Sequence, residues 1–292
     1  MTIPAPISDT QATTKPRLAL MGEFSAGKST LSKLLLGDAP LPVRVTATRL
    51  PPIWISHGTE AALAVGHDGR ETPIGIGDLD TVRLDDTRMI RLFNPSETLE
   101  ICDLIDMPGI SDPNMSSDVW MSVMEHVDSV VWCTQATQAW RQSEAATWAQ
   151  IVDQTNGDNL LLVTQIDKLR SERDRARVLA RLEKETRGQF AAVYPLSILE
   201  AIEAGEDEAR WSASGAAVFV DHLVDMLLSP SRRAEPTSVD PDAEAAGPAE
   251  PSDRHSAADP EAPDGIMPKR VRVLTEMRGR TARPQRADPV TF

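Results

Sequence analysis

The segment Arg17-Leu18-Ala19-Leu20-Met21-Gly22-Glu23-Phe24-Ser25-Ala26-Gly27-Lys28-Ser29-Thr30-Leu31 restricts what this chain can fold into more than any other. A short apolar run leads into Gly-x-x-x-x-Gly-Lys-Ser, and an apolar-periodic helix is expected over Lys28–Leu36. Strand, glycine-bounded loop and helix in that order form the context of a phosphate-binding P-loop. Gly22 and Gly27 allow a turn tight enough for consecutive N–H groups to face inward, and the helix N-terminus adds partial positive charge. Glu23, Phe24, Ser25 and Ala26 complete the loop around the nucleotide. Lys28 is expected to bridge the β- and γ-phosphates, Ser29 to ligate Mg²⁺, and Thr30 to donate to the α-phosphate. A glycine-rich turn without a ligand is the minor alternative.

The rest of the ordered chain supports an α/β fold. Strand-like runs occur at Arg17–Met21, Pro52–Ile55, Ala61–Val65, Thr98–Leu104, Ser129–Cys133, Leu160–Val163 and Phe190–Tyr194. Helical patterns occur at Lys28–Leu36, Asp85–Leu92, Ser117–His126, Ser143–Gln154, Ser171–Arg187 and Ala216–Leu228. This alternation predicts a mostly parallel sheet with helices on both faces. Ala61–Ile76, interrupted by the turn His67-Asp68-Gly69-Arg70, reads instead as an antiparallel hairpin.

Residues 1–14 are expected to be disordered, and the α/β domain to run from Lys15 to Leu228. From Ser229 to Asp264, seven of 36 residues are Pro, nine are acidic and three are Arg, with a single Val as the only large aliphatic residue. That composition predicts a disordered acidic linker. Gly265–Phe292 carries seven Lys or Arg against two acids, with Val271, Val273, Leu274 and Met277 interleaved. It reads as a docking segment for a protein partner, with a solvated tail as the alternative. The net charge of −14 argues against a nucleic-acid ligand. An N-terminus with neither a basic start nor an apolar stretch, and no run approaching ~18 apolar residues, predicts a cytoplasmic protein. Cys102 and Cys133 are expected to be reduced and packed in strands. The tryptophans are expected to pack internally, with Trp140 and Trp148 as candidate interface anchors.

Two further elements specify the nucleotide. In Ile101-Cys102-Asp103-Leu104-Ile105-Asp106-Met107-Pro108-Gly109, a strand delivers Asp106 to its C-terminal end, where it can hold Mg²⁺ through water. Gly109 lacks a side chain and can bring its N–H up to the γ-phosphate. In Leu160–Leu169, a buried strand ends in Thr164-Gln165-Ile166-Asp167. The Asp167 carboxylate can accept from guanine N1–H and the 2-amino group, a donor pair that adenine lacks; an Asp capping the next turn is the alternative.

Gly22–Leu31, Asp106–Gly109 and Thr164–Asp167, in this order and spacing, resemble the GTPase domain of the dynamin family, in particular its bacterial members. The resemblance spans Arg17 to about Leu228 and implies Mg²⁺-dependent GTP hydrolysis. It also implies that Thr48, with Thr46 as runner-up, ligates Mg²⁺ and closes over the γ-phosphate, and that Ser197 belongs to the last nucleotide loop. Catalysis would use Ser25 together with Lys28, Thr48 and Gly109, a monovalent cation in some members, and a nucleotide-dependent dimer through the GTPase face. Ile110 stands where small GTPases place a water-orienting Gln, and Gln165 where most GTPases place a Lys. The family's helical stalk has no counterpart after Leu228, so membranes would be reached only indirectly, and the partner could be another dynamin-like GTPase. A nucleotide-sensing adaptor with negligible hydrolysis and a P-loop ATPase or kinase are the alternatives.

Overall fold

Alternating apolar strands and amphipathic helices build a three-layer α/β/α domain. The computed structural model describes residues 15–37, 50–111, 117–155 and 158–229, without the side chains of 117, 119 and 120. Nine strands form one sheet: β1 (Arg17–Gly22), β2 (Ile53–His57), β3 (Ala61–Gly66), β4 (Glu71–Ile74), β5 (Thr87–Asn94), β6 (Asp103–Asp106), β7 (Ser129–Gln135), β8 (Leu160–Thr164) and β9 (Ala192–Leu196). Their order is β4-β3-β5-β2-β6-β1-β7-β8-β9. Strands β6, β1, β7, β8 and β9 run parallel to one another, and β2 is antiparallel to β6. The expected hairpin is present as the β3–β4 pair.

The helices are α1 (Lys28–Leu36), α2 (Thr98–Ile101), α3 (Ser117–Met124), α4 (Gln142–Ile151), α5 (Glu172–Glu185), α6 (Ile198–Ala204), α7 (Glu208–Ala213) and α8 (Ala216–Leu228). Alternate residues of each strand face opposite layers. Leu18 and Leu20 pack with Leu31, Leu99, Ile198, Phe219 and Leu223, so α1, α2, α6 and α8 cover one face. Ala19 and Met21 pack with Val123, Trp148, Ile151 and Leu182, so α3, α4 and α5 cover the other. Strand β8 is buried on both faces, and each fully buried Leu there contributes about 2 kcal/mol. Both edge strands carry a proline, Pro73 in β4 and Pro195 in β9, which interrupts the ladder that another chain would need for strand addition.

Four expectations are corrected. Asp85–Leu92 is not a helix: Thr87–Asn94 forms strand β5 and pairs with both β2 and β3, partners that a sequence window does not contain. Thr98–Leu104 is not one strand. Thr98 and Ser96 donate their hydroxyls to the Leu35 and Leu36 carbonyls of α1, which holds Thr98–Ile101 as a single helical turn and leaves Asp103–Asp106 extended. The last strand begins at Ala192 rather than Phe190, after a turn through Gly188. Trp140 and Trp148 are not interface anchors, being only 8% and 1% exposed. They pack edge-on against Trp132 at 6.0 and 5.6 Å, and Trp148 stacks on Phe190 at 4.3 Å.

Below this aromatic cluster lies Glu144, 2% exposed. Its carboxylate accepts from Trp132 Nε1 at 3.1 Å, Thr134 Oγ1 at 3.1 Å and Arg141 N at 2.9 Å, capping α4 in the process. Burial pushes its pKa up, while these donors favour the ionised form. A neutral amide would aim N–H groups at fixed donors. Glu144→Gln is therefore expected to lower stability by roughly 1–3 kcal/mol, read as a shifted midpoint in urea unfolding.

Candidate nucleotide site

The consecutive strands β6 and β7 lie on opposite sides of β1, so the chain crosses over β1 between them. Such a switch point opens a crevice beyond the carboxyl ends of the strands, where ligands of open α/β sheets bind. The loop Gly22–Gly27 sits there. Gly22 adopts φ 139°, and a Cβ on it would lie 2.1 Å from the Cys133 carbonyl oxygen of β7, so only glycine lets β1 enter the loop in register. Ser25 adopts a left-handed φ of 61°, and Ala26 N closes a turn onto Glu23 O at 3.2 Å.

Lys28 begins α1 and is 8% exposed. Its Nζ donates to the Gly22 carbonyl at 3.1 Å and to the Glu23 carbonyl at 2.9 Å. Two of the three ammonium donors are thus taken by the loop itself, and the geometry of the group is set before any phosphate arrives. Burial pushes its pKa down, partly offset by the nearby Asp106 carboxylate. Ser29 and Thr30 follow on the first turn of α1, half-buried.

Asp106 ends β6, as expected, and is 7% exposed. Burial raises its pKa to about 6 against the pull of Lys28 and the hydroxyl of Ser32, a residue that belongs to none of the sequence motifs. The segment after it crosses the loop: Met107 N donates to Leu20 O and Ile110 N to Gly22 O, each at 3.2 Å. Gly109 lies so close that a Cβ on it would stand 2.9 Å from Phe24 N. Thr46 and Thr48 lie outside the described residues.

The base-reading elements meet the same loop from β8. Thr164 Oγ1 donates to the Ala26 carbonyl at 2.7 Å and Gln165 Nε2 to the Ser25 carbonyl at 3.0 Å. Asp167, in a one-turn 3₁₀ helix, is exposed, and its Oδ1 accepts from Ser197 Oγ at 2.9 Å. Thr164, Gln165, Asp167 and Ser197 are therefore gathered at one rim although 33 positions separate the first from the last. Beside the loop is a cleft of about 240 Å³ lined by Glu23, Phe24, Ser111, Gln138 and Arg141, with Phe24 59% exposed. Both cysteines are free and buried, and burial pushes their thiols up to about 12. Among the described residues no helix is long and apolar enough to cross a membrane, and no group of three or more His, Cys, Asp or Glu is placed to hold a metal.

Fold and loop together define a P-loop nucleotide-binding domain. Comparison with known proteins narrows this: the model of the dynamin family matches residues 18–166, just over half of the chain. The chain belongs to the dynamin family and carries its GTPase domain. It is similar to Dynamin-like protein 2 of Campylobacter jejuni, 24% identical over 161 residues, covering 53% of this chain and 26% of that protein. It is also similar to the Isoniazid-induced protein IniC of Mycobacterium tuberculosis, 31% identical over 108 residues, covering 35% of this chain and 21% of that one. The chain thus spans about a quarter of the length of these curated relatives. A solved structure of an oligomerised bacterial dynamin pair, described as sensing and tethering membranes over long range, shares the fold. It superposes with a TM-score of 0.53 at 18% identity over 73% of this chain and 35% of that one.

Gly22→Ala should be far more damaging than its size suggests, because the methyl group has no space and the φ is unfavourable. The expected result is a melting temperature lower by about 5 °C or more, with at least about tenfold weaker GDP binding. Calorimetric melting and a fluorescent-GDP titration would check both.

Proposed function

We propose that this domain binds GTP and hydrolyses it to GDP and phosphate, with the residues Gly22–Thr30, Thr164, Gln165, Asp167 and Ser197 forming the nucleotide site. The observation that carries this reading is the joining of the two half-sites. Ala26 and Ser25, on the loop that would wrap the phosphates, are hydrogen-bonded to Thr164 and Gln165, which lead directly into Asp167. A carboxylate held by Ser197 presents two acceptors to guanine N1–H and the 2-amino group.

In this reading Lys28 carries the charge opposite the β- and γ-phosphates, and Gly109, with no side chain in the way, brings its N–H to the γ-phosphate. Ser25 orients the attacking water, since Ile110 has no polar group with which to do so. Ser29 and Asp106, a hydroxyl and a buried carboxylate at adjoining strand and helix ends, form a hard oxygen donor set of the kind Mg²⁺ prefers, with Thr48 as the third ligand. Mg²⁺ would supply neutralisation of phosphate charge. The family resemblance extends the proposal to activation by a monovalent cation and to a nucleotide-dependent dimer through the GTPase face. Exposed Phe24 and the adjoining cleft provide a surface for the latter. The domain limits 15–228, the acidic linker 229–264 and the docking segment 265–292, with its protein partner and indirect route to membranes, belong to the same proposal, as does a cytoplasmic location. Residues 230–292 lie outside the described residues.

Asp167→Asn tests base reading. Asn can donate to the carbonyl that xanthine presents in place of the guanine 2-amino group, so the ratio of GTP to XTP affinity should fall by about 100-fold or more. An unchanged ratio in competitive titration would place base reading elsewhere.

Ile110 also favours a second reading, an adaptor that senses GTP without hydrolysing it. Ser25→Ala discriminates between the two. The enzyme should lose about tenfold or more in single-turnover rate with little change in GTP affinity, whereas the adaptor has no rate to lose.

A further inference from the structure

Gln165 makes contacts that its expected place in a guanine site does not require. Its backbone is left-handed, φ 56°, and its side-chain amide reaches back to the phosphate loop. Nε2 donates to the Ser25 carbonyl at 3.0 Å, while Oε1 accepts from Gln135 Nε2 at 2.6 Å and from Lys168 Nζ. Only one orientation of this amide satisfies all three contacts. A carbonyl can only accept and an ammonium can only donate, so the NH₂ must face Ser25 and the oxygen must face Lys168 and Gln135.

The residue at the far end of this chain of contacts is strained. Ser25 is a non-glycine residue in the left-handed region, which costs about 1–2 kcal/mol and persists only where surrounding contacts impose it. A neutral amide makes a poor clamp by itself, because rotation by 180° would set its oxygen against the Ser25 carbonyl. Gln135, at the end of β7, and Lys168, one residue beyond Asp167, remove that freedom. Gln135 and Thr164 are register partners across β7 and β8, so the orienting donor is fixed by the sheet.

We propose that Gln135 and Lys168 are positioning residues for GTP hydrolysis, orienting the Gln165 amide so that it pins Ser25 in its left-handed conformation. This rests on the reading of Ser25 as the group that orients water. Neither residue needs to touch nucleotide. Their effect is on the rate of the chemical step, with GTP affinity changed little.

A double-mutant cycle tests this against a merely structural role. Replacing Gln165 by Lys supplies a donor for the Ser25 carbonyl that has no wrong orientation, so the orienting donors become dispensable. In the wild-type background, Gln135→Ala and Lys168→Ala should each lower kcat about tenfold, with the GTP dissociation constant within about threefold of wild type. In the Gln165→Lys background, Gln135→Ala should have no effect, and Lys168→Ala should be neutral or favourable because it removes a like charge. Equal losses in both backgrounds, or an unchanged kcat in the wild-type background, would overturn the proposal. Hydrogen exchange at the Ala26 amide of the nucleotide-free protein gives a readout independent of hydrolysis. Exchange should quicken in Gln135→Ala and Lys168→Ala and return to the wild-type rate with Gln165→Lys. Unchanged exchange would show that Ser25 is not pinned in this way. Absence of hydrolysis by the wild-type protein, with exchange behaving as expected, would sink the role of Ser25 while leaving the clamp intact.

Discussion

A lysine ammonium cannot be buried without partners, and the site is arranged around satisfying that of Lys28. Removing such a charge from water costs several kcal/mol even after relaxation. Here the Gly22 and Glu23 carbonyls and the Asp106 carboxylate meet that demand. The carbonyls face inward only because the loop turns tightly, and the loop turns there only because Gly22 can press against Cys133. The carboxylate is present only because β6 ends beside β1, where Leu20 and Asp106 are register partners. One electrostatic requirement thus reaches through three strands, and the charge it leaves facing outward suits a polyphosphate.

The sheet order does the remaining assembly. With β6, β7 and β8 grouped around β1, the ends of four parallel strands deliver Gly22, Asp106, Gln135 and Thr164 to one rim. Thr164 and Gln165 then tie the loop that would hold phosphate to the loop that would hold base. The mixed wing β4-β3-β5-β2, in which β2 and β5 are parallel, widens the sheet away from this rim, and the prolines at both edges discourage growth by strand addition.

Much of this was legible in the sequence, and what was not has physical causes. The phosphate loop, Asp106 and Asp167 are short-range signals, because each is a residue type fixed at the end of an apolar strand. Thr87–Asn94 was missed because its buried positions, Thr87, Met89, Ile90, Leu92 and Asn94, break strict alternation and admit a helical reading. Only pairing with β2 and β3 settles it. The single turn Thr98–Ile101 depends on hydroxyls docking against the end of α1, again a contact beyond the local window. Trp140 and Trp148, candidate anchors by sequence, are buried because Trp140, before α4, turns inward with a left-handed backbone and both pack on Trp132. Gln135 carried no signal at all. A glutamine at a strand end is unremarkable until β7 and β8 are set side by side, and then it becomes a donor to the Gln165 amide oxygen.

On the proposed function, one rim reads both the guanine base and the triphosphate and cleaves the γ-phosphate. The most direct measurement is single-turnover release of phosphate by the unmodified protein in Mg²⁺, with GTP and ATP compared at equal concentration. Phosphate released from GTP, with ATP at the level of the protein-free control, is the expected result. Equal release from both nucleotides, or release from ATP alone, would contradict it.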